Sequence, residues 1–210
     1  MTWTQHKEDW CDCSRCAIAG FRTNVVLGRG RLPCDILLIG EAPGVVEDVT
    51  GAPFKGMAGR LLDQVLAHAA KRIQFSYFIT NIVACRPCDK AGGSNRAPTE
   101  DEVSNCAERL NQCVVLARPK GVIVLGNTAE RGFVNRYGIL TRKVPHPAFI
   151  NYNGGVKSAM YPNYCKSFAK AVTELLKGDL YVHKKANPVD EKGRKLSIRS
   201  VYPRRHPVHD

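Results

Sequence analysis

The 210-residue sequence predicts an α/β fold, with a central, mostly parallel sheet flanked by helices on both faces. Asp35–Gly40 (DILLIG), Ser76–Ala84 and Gly121–Leu125 (GVIVL) are short apolar runs of the kind buried on both sides of a parallel sheet. Stretches with apolar residues at helical spacing separate and follow them. In such sheets ligands bind at the carboxyl ends of strands, so the loops after Gly40, Thr80 and Gly126 are the informative ones.

In chain order, Cys11–Arg31 is a polar segment that leads into the first strand, DILLIG. Gly40–Gly59 holds five glycines and two prolines, too many for a regular element, and is expected to be a loop. Met57–Lys71 places Leu61, Leu62, Val65, Leu66 and Ala69 on one helical face. Ser76–Ala84 is the second strand. Thr99-Glu100-Asp101-Glu102 is a capping box, and Val103, Cys106, Leu110 and Val114 continue a helical stripe behind it. GVIVL is the third strand, stopped by Gly126. Asn163–Lys177 is an amphipathic helix through Phe168, Val172, Leu175 and Leu176, with Gly178 where a C-cap belongs. From there the composition changes: residues 178–210 carry eight Lys or Arg against four acids, with three prolines. The expected organisation is one domain over 1–178 and a basic C-terminal extension over 179–210.

A hydrophobic fraction of 44% excludes wholesale disorder, and no apolar run approaches the ~18 residues of a membrane span. Met1–Trp10 lacks the apolar core of a secretory signal, so a cytoplasmic protein without membrane association is expected. A monomer is the expected state. The formal net charge of +12 suits a polyanion, nucleic acid before membrane. Nine cysteines in a reducing compartment argue against a disulfide framework and for metal or cluster ligation. Cys13-Ser14-Arg15-Cys16 is a C-x-x-C pair with Cys11 just before it, and Cys85, Cys88 and Cys106 form a second group far along the chain. Four thiolates from two distant segments suit zinc or a four-iron cluster, and spacing does not separate the two.

The stretch Gly40–Leu62, GEAPGVVEDVTGAPFKGMAGRLL, closely resembles the first motif of the family 4 uracil-DNA glycosylases, the iron–sulfur branch of that superfamily. Thr80-Asn81-Ile82-Val83-Ala84-Cys85-Arg86-Pro87 resembles the family's second-strand segment, and Asn95-Arg96-Ala97-Pro98 leading to Cys106 its next ligand segment. Leu125-Gly126-Asn127-Thr128-Ala129 and His146-Pro147-Ala148 match the later motifs, in the family's order. The resemblance covers about residues 11–177.

It implies a structural 4Fe-4S cluster held by Cys13, Cys16, Cys85 and Cys106. It also implies DNA containing uracil, single- or double-stranded, as substrate. Asn81 is implied to read the base: an amide can donate to uracil O4 and accept from N3–H, whereas cytosine presents the reverse pattern. Phe54 would stack on the flipped base, and His146 would stabilise the anion that forms as the glycosidic bond breaks. The resemblance implies that Ala42 contacts the uracil. Ala42 occupies the place where the best-known uracil glycosylases carry a water-positioning Asp, which leaves Glu41 as the candidate for that work. Gly44 replaces the ring that excludes thymine's methyl group in those relatives, a role open to Glu47 or Phe54. The amides of Gly44, Gly51, Gly56 and Gly59 are expected to approach DNA closely.

The sequence departs from the family in two places. Extra residues surround Asp89–Ser94, and only nineteen residues separate Gly126 from His146, as if a connecting hairpin were trimmed. The rival expectation is a superfamily relative that binds DNA without turnover or keeps a covalent bond to the abasic sugar. No basic loop is inserted before His146.

Overall fold

The three apolar runs become the middle of one five-stranded sheet. The structure, a computed structural model, describes residues 1–182. Its strands are β1 (Arg29–Gly30), β2 (Ile36–Gly40), β3 (Tyr77–Asn81), β4 (Gly121–Leu125) and β5 (Thr141–Val144). The spatial order is β1-β3-β2-β4-β5, with β1 antiparallel to β3 and every other pair parallel. The helices are α1 (Trp3–Trp10), α2 (Val45–Thr50), α3 (Met57–Ala70), α4 (Glu100–Ala117), α5 (Asn127–Gly132), α6 (Pro147–Tyr152) and α7 (Tyr161–Val182).

Strand alternation distributes the core between the two faces. Ile36 and Leu38 join Ile79, Ile123 and Leu125 beneath Leu62 and Val65 of α3 and Phe168 and Val172 of α7. Leu37 and Ile39 join Phe78, Val122 and Val124 beneath Leu110, Cys113 and Val114 of α4. The expected three-layer architecture is what the chain adopts. Because β3 and β4 lie on opposite sides of β2, the chain switches direction across the sheet at the carboxyl end of β2, where ligand crevices form.

Several local expectations are corrected. The segment between Gly40 and Gly59 is not all loop, since α2 forms inside it. Its glycines mark the helix ends: Glu47 reaches back to accept from the Gly44 N–H at 3.0 Å, and Gly51 closes the helix at φ 70°. Gly178 does not end the last helix, because α7 continues to Val182. A Cβ there would lie 2.5 Å from Leu140 Cδ2, so the missing side chain allows close packing rather than a cap. The second strand is shorter than expected, although the Ile82 and Val83 amides extend its ladder to the Gly40 and Glu41 carbonyls. The residues between Gly126 and His146 build α5 and the edge strand β5. Beyond Val182 the expected basic extension lies outside the described residues.

The amino-terminal segment is tied on by side chains rather than by a long apolar stripe. Thr2 and Gln5 cap α1 reciprocally, and His6 Nδ1 and Trp10 Nε1 lie 3.2 and 2.7 Å from Gln112 Oε1 on α4. Asp48 of α2 accepts from the Thr23 and Asn24 amides at 2.9–3.2 Å, fixing the same segment to the other side of the crevice. Among the described residues no helix is long and apolar enough to cross a membrane.

Candidate active site

The carboxyl ends of β2, β3 and β4 present Gly40, Asn81 and Gly126. Gly40 pairs with Asn81 across the β2–β3 ladder, and its bare Cα is a requirement of the crevice. A Cβ there would lie 2.4 Å from Asn81 Oδ1 and 2.6 Å from Phe54 Cζ. Asn81 is 1% exposed, and among the described residues neither Oδ1 nor Nδ2 has a hydrogen-bond partner. Burying both poles of an amide without partners is costly, which marks Asn81 as a candidate for contact with a bound group.

Phe54 is held in a left-handed backbone conformation, φ 55°, which a bulky residue adopts only under constraint. The constraint is visible. Arg29 donates to the Pro53 and Phe54 carbonyls at 2.8 and 3.2 Å while pairing with Asp63 at 2.6 Å. Gly59 completes it, since a Cβ there would sit 1.9 Å from Phe54 O. The Phe54 ring thereby reaches the same place as His146, with ring centroids 5.8 Å apart.

His146 is the N-cap of α6. Its Nδ1 accepts from the Ala148 N–H at 3.2 Å, and Pro147 takes the first helical position. Nδ1 is therefore the unprotonated nitrogen of a neutral ring, and the ring proton sits on Nε2. Burial holds the imidazole's pKa down to about 4, against a smaller upward pull from nearby Glu47. The Cβ that Gly126 lacks would meet His146 Cβ at 3.0 Å.

The acidic residues have different situations. Glu41 is half-buried, and its carboxylate makes no hydrogen bond or ion pair among the described residues; Ala42 beside it is half-buried too. Glu47 is occupied, accepting from the Gly44, Lys55 and Gly56 amides at 3.0, 2.8 and 2.7 Å. This corrects the expectation for three of the glycine amides: Gly44 and Gly56 turn theirs inward to the Glu47 carboxylate and Gly51 donates to the Glu47 carbonyl.

The two distant cysteine groups meet beside this crevice. Burial pushes the Cys85 thiol up to about 12, with Cys106, Cys16 and Cys13 adding to the rise and Arg22 opposing it. Cys16 is raised by burial as well, with Cys106 and Cys13 again among the contributors. Cys106 Sγ accepts from the Ala84 N–H at 3.4 Å and lies 3.9 Å from Arg109 Nη2. Arg15 feels Cys13 and Cys106, while Arg22 keeps a buried Nη1 without a partner among the described residues. Cys11 is exposed and bonds locally to Glu8 and Asp12; Cys34, Cys113 and Cys165 belong to the apolar core. Among the described residues no three His, Cys, Asp or Glu side chains are arranged to hold a single metal ion.

Arg29 and Arg109 are not legible as site residues in the sequence. Only Arg109 leaves a signal there: a cation one turn past Cys106, beside the apolar stripe of a helix.

Comparison with known proteins yields a consistent set of matches. The family model described as "Uracil DNA glycosylase superfamily" matches residues 27–176. The chain is 31% identical over 189 residues to the type-4 uracil-DNA glycosylase of Sulfurisphaera tokodaii, covering 80% of this chain and 84% of that protein. It is 40% identical over 155 residues to the type-4 uracil-DNA glycosylase of Saccharolobus solfataricus, covering 72% and 69%. The type-4 enzyme of Thermotoga maritima is 37% identical over 154 residues, covering 72% and 77%.

Proposed function

The chain belongs to the uracil DNA glycosylase superfamily, and from that premise we propose that it is a DNA-repair hydrolase that flips uracil out of DNA and cleaves its N-glycosidic bond, leaving an abasic site. The observation that carries this reading is Asn81, a buried amide with both poles unpartnered at the end of β3. Uracil satisfies both poles at once, since Nδ2–H donates to O4 and Oδ1 accepts from N3–H. Cytosine offers a donor to a donor and an acceptor to an acceptor, and a buried mismatch of that kind is strongly rejected.

Phe54 supplies the stacking face, at an angle fixed by Arg29 and Gly59. His146 supplies the donor for the charge that develops on O2 as the bond breaks. Its neutral state suits that role, because Nε2–H donates throughout and no proton need be lost before the uracil anion departs. A donor aimed at developing charge contributes about 3–4 kcal/mol. Glu41 holds the attacking water, because its carboxylate is uncommitted whereas that of Glu47 is engaged by three amides. Glu47 keeps the loop around Phe54 in shape.

Cys13, Cys16, Cys85 and Cys106 would hold the 4Fe-4S cluster. The charges of these thiols act on one another, and Arg15, Arg22 and the Arg109 that lies 3.9 Å from Cys106 Sγ stand beside them, which suits an anionic group. When bound, such a cluster cross-links the amino-terminal segment to α4 and to the segment after Asn81. Hydrolysis of an N-glycosidic bond is redox-neutral, so the residues that act on the substrate are those of the crevice.

The test is incubation of the protein with a uracil-containing oligonucleotide, single- and double-stranded, followed by alkali. Strand breakage at the uracil position is the expected result. A stable protein–DNA adduct would indicate covalent trapping instead, and an intact strand would refute turnover.

A further inference from the structure

Arg109 lies one turn after Cys106 on α4 and is completely buried. Its Nη1 donates to Thr80 Oγ1 at 2.9 Å, and its Nη2 donates to the carbonyls of Asn81 at 2.6 Å and Ile82 at 3.0 Å. The same Nη2 is 3.9 Å from Cys106 Sγ. Among the described residues it has no carboxylate partner within ion-pair distance. A guanidinium never gives up its proton, and a buried one without a counter-charge is expensive to keep. Its polar neighbours are the Thr80 hydroxyl, two carbonyl dipoles and the sulfur of Cys106.

The peptide unit joining Asn81 to Ile82 is consequently held at both poles. Its carbonyl accepts from Arg109, and its N–H donates to Gly40 O at 2.9 Å. This matters because the Asn81 side chain has no hydrogen bond of its own among the described residues. Its aim is set by the backbone that carries it.

We propose that Arg109 is a positioning residue that orients Asn81 through this peptide and joins the base-reading strand end to the cysteine site at Cys106. The inference rests on the reading of Asn81 as the uracil-recognising group. It makes base discrimination sensitive to the state of α4 around Cys106, although none of the cysteines touches the base.

The test compares Arg109→Met, Arg109→Lys and Asn81→Ala, singly and combined, in the metal-loaded protein. Single-turnover excision of uracil should fall ~10²-fold in Arg109→Met, the scale of a misplaced reacting geometry. The DNA dissociation constant should change little. Arg109→Lys keeps the charge but cannot reach all three oxygens, and its rate should be intermediate. In the Asn81→Ala background the Arg109 substitutions should add almost nothing, since both act through one group. Release of iron to a chelator, followed by visible absorbance, should be faster in Arg109→Met than in the parent, and unchanged in Asn81→Ala. Parental excision rates in either Arg109 variant, or losses that multiply in the double variants, would overturn the proposal. If Arg109→Met does not fold, Arg109→Lys and its double with Asn81→Ala decide the matter. A parent that excises nothing refutes the functional reading instead, and the chelator experiment still judges the link to Cys106.

Discussion

Replacing Asn81 by Leu should make the protein more stable and nearly inactive. Leu branches at Cγ as Asn does, so its two methyl groups take the places of Oδ1 and Nδ2, both buried and unpartnered in the free protein. Swapping unsatisfied polar atoms for apolar ones of the same shape removes a burden of about 1–3 kcal/mol per group, and partial relief of about 2 kcal/mol overall is a conservative figure. For a chain of this size that corresponds to a rise of ~4–8 °C in Tm. The same substitution leaves uracil O4 and N3–H unpaired in a closed site, costing about 2–6 kcal/mol, or between ~30-fold and ~10⁴-fold in kcat/KM. Thermal melts and single-turnover excision on the same preparations supply both numbers. A lower Tm would mean that Asn81 is a structural amide. A parental excision rate would mean that uracil is read elsewhere.

His146→Ala should lower the excision rate by ~10²-fold, the order expected for one transition-state donor. Because burial holds the His146 pKa near 4 in the folded protein, below its ordinary 6.5, the unfolded chain takes up the proton first as pH falls. Stability linked to this group is complete above pH 6.5 and declines toward pH 4, so Tm of His146→Gln should fall less over that window than Tm of the parent. Ala substitution of Cys13, Cys16, Cys85 or Cys106 should abolish the iron content and brown colour of the purified protein, whereas Cys11→Ala and Cys88→Ala should retain both; iron analysis and visible absorbance distinguish them. Glu47→Ala removes the acceptor of three amides and should destabilise the fold by about 2–3 kcal/mol, with Glu47→Gln losing less; thermal melts check the order. Truncation after Val182 removes eight Lys or Arg and should flatten the slope of log K against log salt for DNA binding, leaving the rate at saturating DNA unchanged.

The layered α/β architecture is legible in the sequence because its determinants are local. Continuous apolar runs such as DILLIG and GVIVL have few ways to hide both faces other than as inner strands of a covered sheet, and the stripes of α3 and α4 show which helices cover them. The composition of the proposed site is legible too, since Asn81, Phe54, His146, Cys13, Cys16 and Cys85 stand in motifs at strand ends and loops and Cys106 on a capped helical stripe. The short elements are not. α2, β1, β5 and α6 are two to six residues long, too brief for any period to stand out, and they exist because Glu47, His146 and the neighbouring strands satisfy their backbone groups. Gly178 is ambiguous for a similar reason, since a glycine that ends a helix and one that admits Leu140 look alike in one dimension.

Which residues are available for recognition and ligation is written in the order of amino acids alone. Their condition is set by folding: the Asn81 amide is left without partners, Glu47 is spent on three amides while Glu41 is not, and His146 is neutral with its proton on Nε2. Folding also places Arg109 between Cys106 and Asn81, 25 residues apart in sequence. Those properties depend on burial and on hydrogen bonds between distant segments, and both arise only when the chain closes on itself.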